Sequence, residues 1–334
     1  MTLAPTATPT LETPRAGAPA ARLRLMLFGI SPQAASFDRS GFHCGVPSTR
    51  ERLERVGHTF VRGYRAGLRH GRLDSLAEEL ERTEPEPRGF AFEGAAMALS
   101  LLDRVTPWRR DRLARFVAGP GKPHIYMVHV GVGWALARLG RGVEAALRRL
   151  DPLLGWLAVD GYGFHEGYFH WRRTIRRHIR PPVLRGYAGR AFDQGLGRSL
   201  WFVEGADVPR IEDAIGAFPR SRRADLWSGV GLAAAYAGGG GRPAYQAIRS
   251  ACGPYLPQVA QGVAFAAQAR IRAQNRAAHT ELACAILCGV SAEVAARITD
   301  EALERLPVEG PEPSYEAWRK RIQARFTPEG AISR

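Results

Sequence analysis

The sequence predicts an all-α protein, and three features of its composition and patterning support that fold class. Ala, Leu and Arg, which favour helices, dominate the chain, whereas runs of alternating β-branched residues are scarce. Apolar residues recur at helical spacing along most of the chain. A glycine-centred motif returns several times, which is typical of a repeated helical unit. With 334 residues, 45% of them hydrophobic, the chain can bury a large core.

The repeated motif is an apolar or aromatic residue, a variable position, a glycine, and then small and bulky apolar residues. Its glycines are Gly63, Gly94, Gly131, Gly167, Gly205, Gly229 and Gly262, at intervals of 31, 37, 36, 38, 24 and 33 residues. Helix-pair repeats have a similar period, about 34 residues. Because glycine inside a helix costs up to about 1 kcal/mol relative to alanine, its recurrence indicates close packing between helices. We predict an irregular array of helix pairs, solenoid-like or compact, with glycine-centred helix starts.

The other elements follow from caps, apolar faces and breakers. Residues 1–22 are rich in Pro, Thr and Ala and are expected to be disordered, and residues 23–334 are expected to form a single helical domain. Amphipathic patterns bounded by breakers predict further helices over residues 48–69, 75–82, 108–117, 143–157, 291–306 and 314–326. The run Gly238–Gly241 is a predicted flexible break, and the pair Gly253-Pro254 is a predicted turn.

The formal net charge is +15, and all of the 47 basic residues except Lys122 and Lys320 are arginine. A field of this size attracts anionic partners, but the codon bias of a GC-rich genome explains the arginines equally well.

The chain has neither a signal peptide nor an apolar stretch of about 18 residues, so we expect a cytoplasmic location. Cys284 and Cys288, within an apolar run, are expected to be buried structural thiols.

The densest cluster of chemically active side chains lies between residues 160 and 171. It contains His165, Glu166 and His170, and in a helix Glu166 and His170 would share a face. Such a group can relay a proton or hold a metal. Its spacing differs from the HExxH pattern of zinc proteases, so a metal site is the least favoured of three interpretations, and we assign no metal. The other two are an acid/base role, and a structural role in which these groups bond to backbone or to one another beneath aromatic rings.

His129 occupies the same position in its copy of the motif as His165 does, two residues before the glycine. In three copies a glutamate directly precedes the glycine. This equivalence predicts one shared cleft, lined by the candidate catalytic residues His129, Glu93, His165, Glu166 and Glu204. Capping of helix N-termini explains the glutamates without any chemistry.

A run of arginines follows the cluster directly. Its members are Arg172, Arg173, Arg176, Arg177 and Arg180. At helical spacing they would form a cationic face for a phosphopantetheine phosphate, an acidic carrier protein or nucleic acid, or simply a solvated surface. No known nucleic-acid-binding motif is present, so nucleic acid is the least favoured partner. No P-loop, nucleophile elbow or complete dinucleotide fingerprint occurs, and the sequence identifies no cofactor.

Several segments together resemble the UnbL-type proteins that accompany iterative enediyne polyketide synthases. The matching segments are Phe28-Gly29-Ile30 with Ser36-Phe37, Arg88 to Met97, Asp160 to Gly167, Gly197 to Phe202, and Asp225 to Gly231. The resemblance covers nearly the whole chain after residue 25. It implies a pathway rather than a reaction: a role in turning a nascent linear polyene into the enediyne core, beside a synthase and membrane-bound or soluble pathway proteins.

Two functions therefore stand side by side. The first is an enzyme or catalytic subunit that acts on a polyene, free or carrier-bound, through the His165, Glu166 and His170 side chains. The second is a non-catalytic helical scaffold or chaperone for pathway enzymes, which would bind them on its concave face.

Overall fold

Long and short helices alternate along the chain. The computed structural model describes residues 18–327 except 107, 109, 308 and 309, and within these residues all regular structure is helical. The α-helices are α1 (Ala18–Phe28), α2 (Phe37–Ser40), α3 (Pro47–Arg69), α4 (Leu73–Glu81), α5 (Arg88–Val105), α6 (Arg112–Ala118), α7 (Ile125–Leu139), α8 (Val143–Leu147), α9 (Trp156–Phe169), α10 (Trp171–Thr174), α11 (Tyr187–Val203), α12 (Val208–Gly216), α13 (Arg220–Ala237), α14 (Gly241–Ala251), α15 (Leu256–Arg272), α16 (Ala278–Ala283), α17 (Ala292–Glu301) and α18 (Ser314–Ala324). The predicted all-α class is confirmed.

The odd-numbered helices from α3 to α17 form an inner layer in which each packs against the next. Inner helices in the middle of the array are buried on nearly every side: all residues from Gly89 to Leu102 in α5, and from Asp225 to Ala237 in α13, are buried. The short helices between them bury one face only, as α14 does with Tyr245 and Ile248. This alternation is the predicted helix-pair array.

Neighbouring inner helices run parallel, with a short return helix between them. Along α9 and α11 the contacting positions advance together: Gly163 faces Phe192, and Gly167 faces Ser199. One step further on, the rings of Tyr168 and Phe202 lie 6.0 Å apart. Parallel inner helices place all their C-terminal ends on the same side of the array.

The array curls until its later helices meet its beginning. At the start of α3, the Thr49 hydroxyl and the Arg52 Nε donate to the carbonyls of Gly239 and Ala237, each at 2.7 Å. Arg270 of α15 donates to the carbonyl of Glu86, just before α5, at 2.8 Å. The larger of two hydrophobic clusters in the described residues extends from Phe37 to Ile322, and the smaller one lies around Leu76, Phe92 and Phe116.

Glycines set the spacing between the inner helices. A Cβ added at any of eleven of them would lie only 1.7 to 2.4 Å from a backbone oxygen of the neighbouring helix. These are Gly63, Gly94, Gly131, Gly133, Gly161, Gly163, Gly195, Gly197, Gly229, Gly231 and Gly262. In the helices from α7 to α13 they form Gly-x-Gly pairs, with one glycine against the preceding inner helix and the other against the following one. Backbones this close leave no room for a side chain.

These glycines lie inside the helices and not at their starts. The predicted register was also wrong in two copies: Gly167 faces the side chain of Ser199, and Gly205 lies in a turn after α11 with φ of +60°. The helix contacts are made instead by Gly161, Gly163, Gly195 and Gly197. Several glycines lie within a few residues of one another in this region, and only the three-dimensional crossing point selects among them.

Most other predicted elements are present, with shifted ends. Ser291 caps α17 by accepting from the Val294 amide at 3.3 Å, and residues 238–240 form a non-helical break between α13 and α14. The predicted helix over 143–157 is interrupted between α8 and α9, and the one over 108–117 begins only at Arg112. Residues 18–22, expected to be disordered, belong to α1, and residues 1–17 lie outside the described part. All four cysteines are free thiols.

No single helix of the described chain has the length and apolar composition needed to span a membrane. One pair, Ala278–Cys288 with Ala292–Glu301, meets these criteria only when taken together, and it is bent by 68°.

Candidate functional site

Buried carboxylates locate the site, because a buried charge is stable only when it is paired. Seven carboxylate side chains of the described residues are buried, and five of them contact arginine. These five are Asp160 with Arg198, Asp193 with Arg180 and Arg222, Glu204 with Arg176 and Arg210, and Asp225 and Glu316 with Arg190 and Arg319. The two exceptions are Glu93 and Glu166. Buried carboxylates that lack an arginine partner are candidates for function.

Glu166 lies in the last turn of α9, where its partners are two histidines. Its Oε1 is 3.3 Å from Nδ1 of His165 and 3.9 Å from Nε2 of His170. His165 and Glu166 are each only 6% exposed, whereas the His170 side chain is 54% exposed. We call these three residues the His–Glu cluster. The predicted proximity of Glu166 and His170 on one helical turn is confirmed.

Aromatic rings fix the orientation of His165. Its ring lies edge-on to Trp134 of α7 at 5.5 Å and contacts Phe169 at 4.9 Å. Burial lowers the pKa of the His165 imidazole, and the neighbouring Glu166 carboxylate opposes that shift. A neutral imidazole can accept a proton or bind a metal ion.

Glu93 of α5 also lies near Trp134. Neither carboxyl oxygen has a hydrogen-bond partner in the described structure, and the Trp134 indole N–H has none either. Burial raises the Glu93 pKa to about 8, with the charge of Arg198 and the proximity of Trp134 opposing the rise. Glu93 is therefore a neutral carboxylic acid at pH 7. It faces an apolar cavity of about 30 Å³, which has room for water but not for a larger ligand.

A surface groove of about 380 Å³ runs beside the end of α9, and its walls include both aromatic and cationic side chains. We call it the aromatic groove; it is lined by Ser31, Gln33, Ala34, Arg39, Ser40, Tyr168, Phe169, Trp171 and Arg172. The Trp171 indole donates to the carbonyl of Ser40 at 3.0 Å, and the Arg172 guanidinium stacks over the same indole at 4.5 Å. Its volume is within the usual range of ligand sites. Phe169, part of its wall, also contacts His165.

The shared cleft expected from the motif is wrong as a whole. His129 hydrogen-bonds through Nδ1 to the carbonyl of Ile125 in its own helix, at 2.8 Å. Glu204 is held by Arg176 and Arg210, each at 2.9 Å. Among the described residues neither has a hydrogen bond, ion pair or ring contact with the His–Glu cluster. The prediction failed because it aligned Gly131 with Gly167. In the structure Gly131 corresponds to Gly161, since each faces the preceding inner helix, and His129 and His165 are therefore not equivalent.

The continuous cationic face is also wrong, because α10 ends at Thr174 and the chain then turns. Arg176 and Arg180 reach back to the buried carboxylates of Glu204 and Asp193. Arg172 stacks on Trp171, and Arg173 and Arg177 are exposed. Only Arg172 of this run lines the aromatic groove.

Trp134 and the aromatic groove were missed from the sequence. Trp134 contacts Phe60, Phe164 and His165, so it connects three inner helices, but its position in the motif is that of an ordinary core residue. The groove joins residues 31–40 to residues 168–172, which are too far apart in the sequence for any spacing rule. The cluster of aromatic residues around 168–171 was the one available signal.

No curated protein and no solved structure matches the chain. A family model described as "Protein of unknown function (DUF1702)" matches residues 20–326, and the chain therefore belongs to that family.

Proposed function

We propose that this protein acts in enediyne polyketide biosynthesis, where it binds a conjugated polyene intermediate in the aromatic groove and acts on it with the His–Glu cluster. The pathway is suggested by the UnbL-like segments in the sequence. The mode of action is suggested by one observation: Phe169 lines a ligand-sized aromatic groove and also contacts His165, whose imidazole is paired with the buried carboxylate of Glu166.

The groove has the chemistry that a polyene requires. Phe169, which is 37% exposed, offers a flat apolar surface on which a conjugated chain can stack, beside the Trp171 indole that Arg172 covers. Arg39 and Arg172 line the same groove, and their guanidinium groups suit the carboxylate of a free acid or the phosphate of a carrier-bound chain. The proposed ligand is thus an apolar conjugated chain with an anionic end.

The cluster supplies acid/base chemistry beside that groove. His165 and Glu166 are within reach of proton transfer, and the half-exposed His170 connects Glu166 to solvent. Glu93, as a neutral acid near Trp134, is a further proton donor in the same region. Proton transfers are what a polyene needs for isomerisation of its double bonds.

The scaffold alternative would have to use the outer surface. Residues Gly89–Leu102 of α5 and Asp225–Ala237 of α13 are all buried, so the concave face that helical arrays often use for binding is filled there by the protein's own core.

The experiment is a replacement in a host that makes an enediyne. His165→Ala and Glu166→Gln should abolish product while protein level and partner binding stay unchanged, and Glu212→Gln, an exposed carboxylate on α12, serves as the matched control. Product at the wild-type level in both cluster variants would refute a catalytic role. Loss of product in the control variant as well would refute the assignment of the role to this cluster.

A further inference from the structure

The His–Glu cluster has the composition of a transition-metal site. Two imidazoles and one carboxylate are a ligand set used for zinc and for non-haem iron, with the remaining coordination positions open to water or substrate. We propose that His165, Glu166 and His170 together bind one divalent first-row transition metal ion.

The distances between the donor atoms support this assignment. One donor atom from each residue lies within 4.8 Å of the other two, and the His165 Nδ1 to Glu166 Oε1 distance is 3.3 Å. Donors that each lie about 2.1 Å from one ion are about 3.0 to 3.4 Å apart, so the first pair already has the separation of a bound state. Only His170 would have to move closer to the other two donors, and its side chain is half exposed and lies at the end of the helix.

The charge environment points the same way. Arginine neutralises every other buried carboxylate of the described chain apart from Glu93, which burial holds in the neutral form. Glu166 has no arginine or lysine among its ion pairs, although the chain contains 47 basic residues. A divalent cation would supply the missing positive charge, because a buried carboxylate needs a cationic partner or a metal.

The surroundings are those of a site that holds its ligands in place and admits a substrate. Trp134 and Phe169 pack against His165 and fix its ring, while the exposed edge of His170 leaves one side of the cluster open. His170 lies in the chain between Phe169 and Trp171, which both line the aromatic groove. The open coordination positions would therefore be on the side from which a ligand can approach.

This inference deepens the proposed function and rests on it for the role of the site, but its test measures metal binding alone. A failed titration would refute the metal site and leave acid/base chemistry standing. If the wild type binds metal but the cluster variants still make product, the metal site stands and the proposed catalytic role is refuted.

The test is a titration of full-length, tag-free protein, first stripped with a chelator, with Co²⁺ as the probe. We expect visible ligand-field absorption that saturates at one equivalent and has no thiolate charge-transfer band, since the ligands are nitrogen and oxygen. Zn²⁺ should abolish the signal by competition. His170→Ala, which changes a half-exposed side chain, and Glu166→Gln should each weaken Co²⁺ binding by at least about 10-fold.

His58→Ala, an exposed histidine on α3, is the matched control and should bind Co²⁺ as the wild type does. Circular dichroism shows whether each variant is folded, and His170→Ala keeps the test decisive if the buried substitution unfolds the chain. The proposal is overturned if the wild type shows no saturable signal. It is equally overturned if His170→Ala binds Co²⁺ with wild-type affinity.

Discussion

Replacing Gly197 of α11 by alanine should destabilise the protein, although alanine favours helices more than glycine does. The added Cβ would lie 2.0 Å from the carbonyl oxygen of Leu226 in α13, and ordinary contact begins at 3.4 Å. The Cβ would therefore be 1.4 Å too close to that oxygen. Since the obstructing atom is backbone, no side chain can turn away, and the two helices must separate at a point where both are fully buried.

The expected size follows from two opposing effects. Overpacking costs typically 1–3 kcal/mol, and a clash with backbone belongs at the upper end, about 3 kcal/mol. The helix propensity of alanine returns about 1 kcal/mol. The net loss is about 2 kcal/mol, which for a chain of this size lowers Tm by about 3 °C.

Thermal unfolding followed by circular dichroism measures this directly. The matched control is Gly216→Ala at the end of α12, where a Cβ would meet nothing within 4 Å. That variant should be as stable as the wild type or up to about 1 kcal/mol more stable. If Gly197→Ala is also stabilised, the close backbone crossing does not exist and the account of the array is incorrect.

Two further predictions concern buried charge. Glu93 has its pKa raised from 4.5 to about 8, so its contribution to stability is complete below pH 4.5 and is lost as the pH rises towards 8. Glu93→Gln should remove this dependence: the Tm difference between variant and wild type should grow in favour of the variant from pH 5 to pH 8, and a constant difference would contradict the burial of Glu93. Arg319→Ala should lower the free energy of unfolding by about 3–5 kcal/mol, because it removes a fully buried cation from Asp225 and Glu316. Lys320→Ala, which breaks an exposed pair with Glu312, should change it by less than about 1 kcal/mol in the same urea titration, and similar losses in both variants would contradict the buried network.

Local patterns in the sequence predicted local structure well. Ser291 and the apolar spacing after it fix α17, and the four-residue spacing of Glu166 and His170 placed both in one turn, because a single helix determines these relations. The use of glycine for close helix packing could also be inferred. Glycine destabilises the interior of a helix relative to alanine, and close approach of a second backbone is what compensates for that loss.

Contacts between different helices could not be predicted from the sequence. Gly161, Gly163 and Gly167 lie within seven residues, and only the crossing point of α9 with its neighbours decides which of them make contact. The error in register carried over to the expected equivalence of His129 and His165. Arg176 and Glu204 illustrate the same limit, because residues 28 apart in sequence form an ion pair that no local pattern could predict.

We propose that the aromatic groove at the end of α9 binds an apolar conjugated chain with an anionic end, and titration with all-trans parinaric acid, a fluorescent conjugated tetraene carboxylate, measures such binding. We expect saturable enhancement of fluorescence at one equivalent. Binding should be weakened at least about 10-fold by Phe169→Ala and unchanged by Gln246→Trp on the exposed face of α14. Absence of saturable binding, or equal affinity of the Phe169→Ala variant and the wild type, would refute binding in this groove.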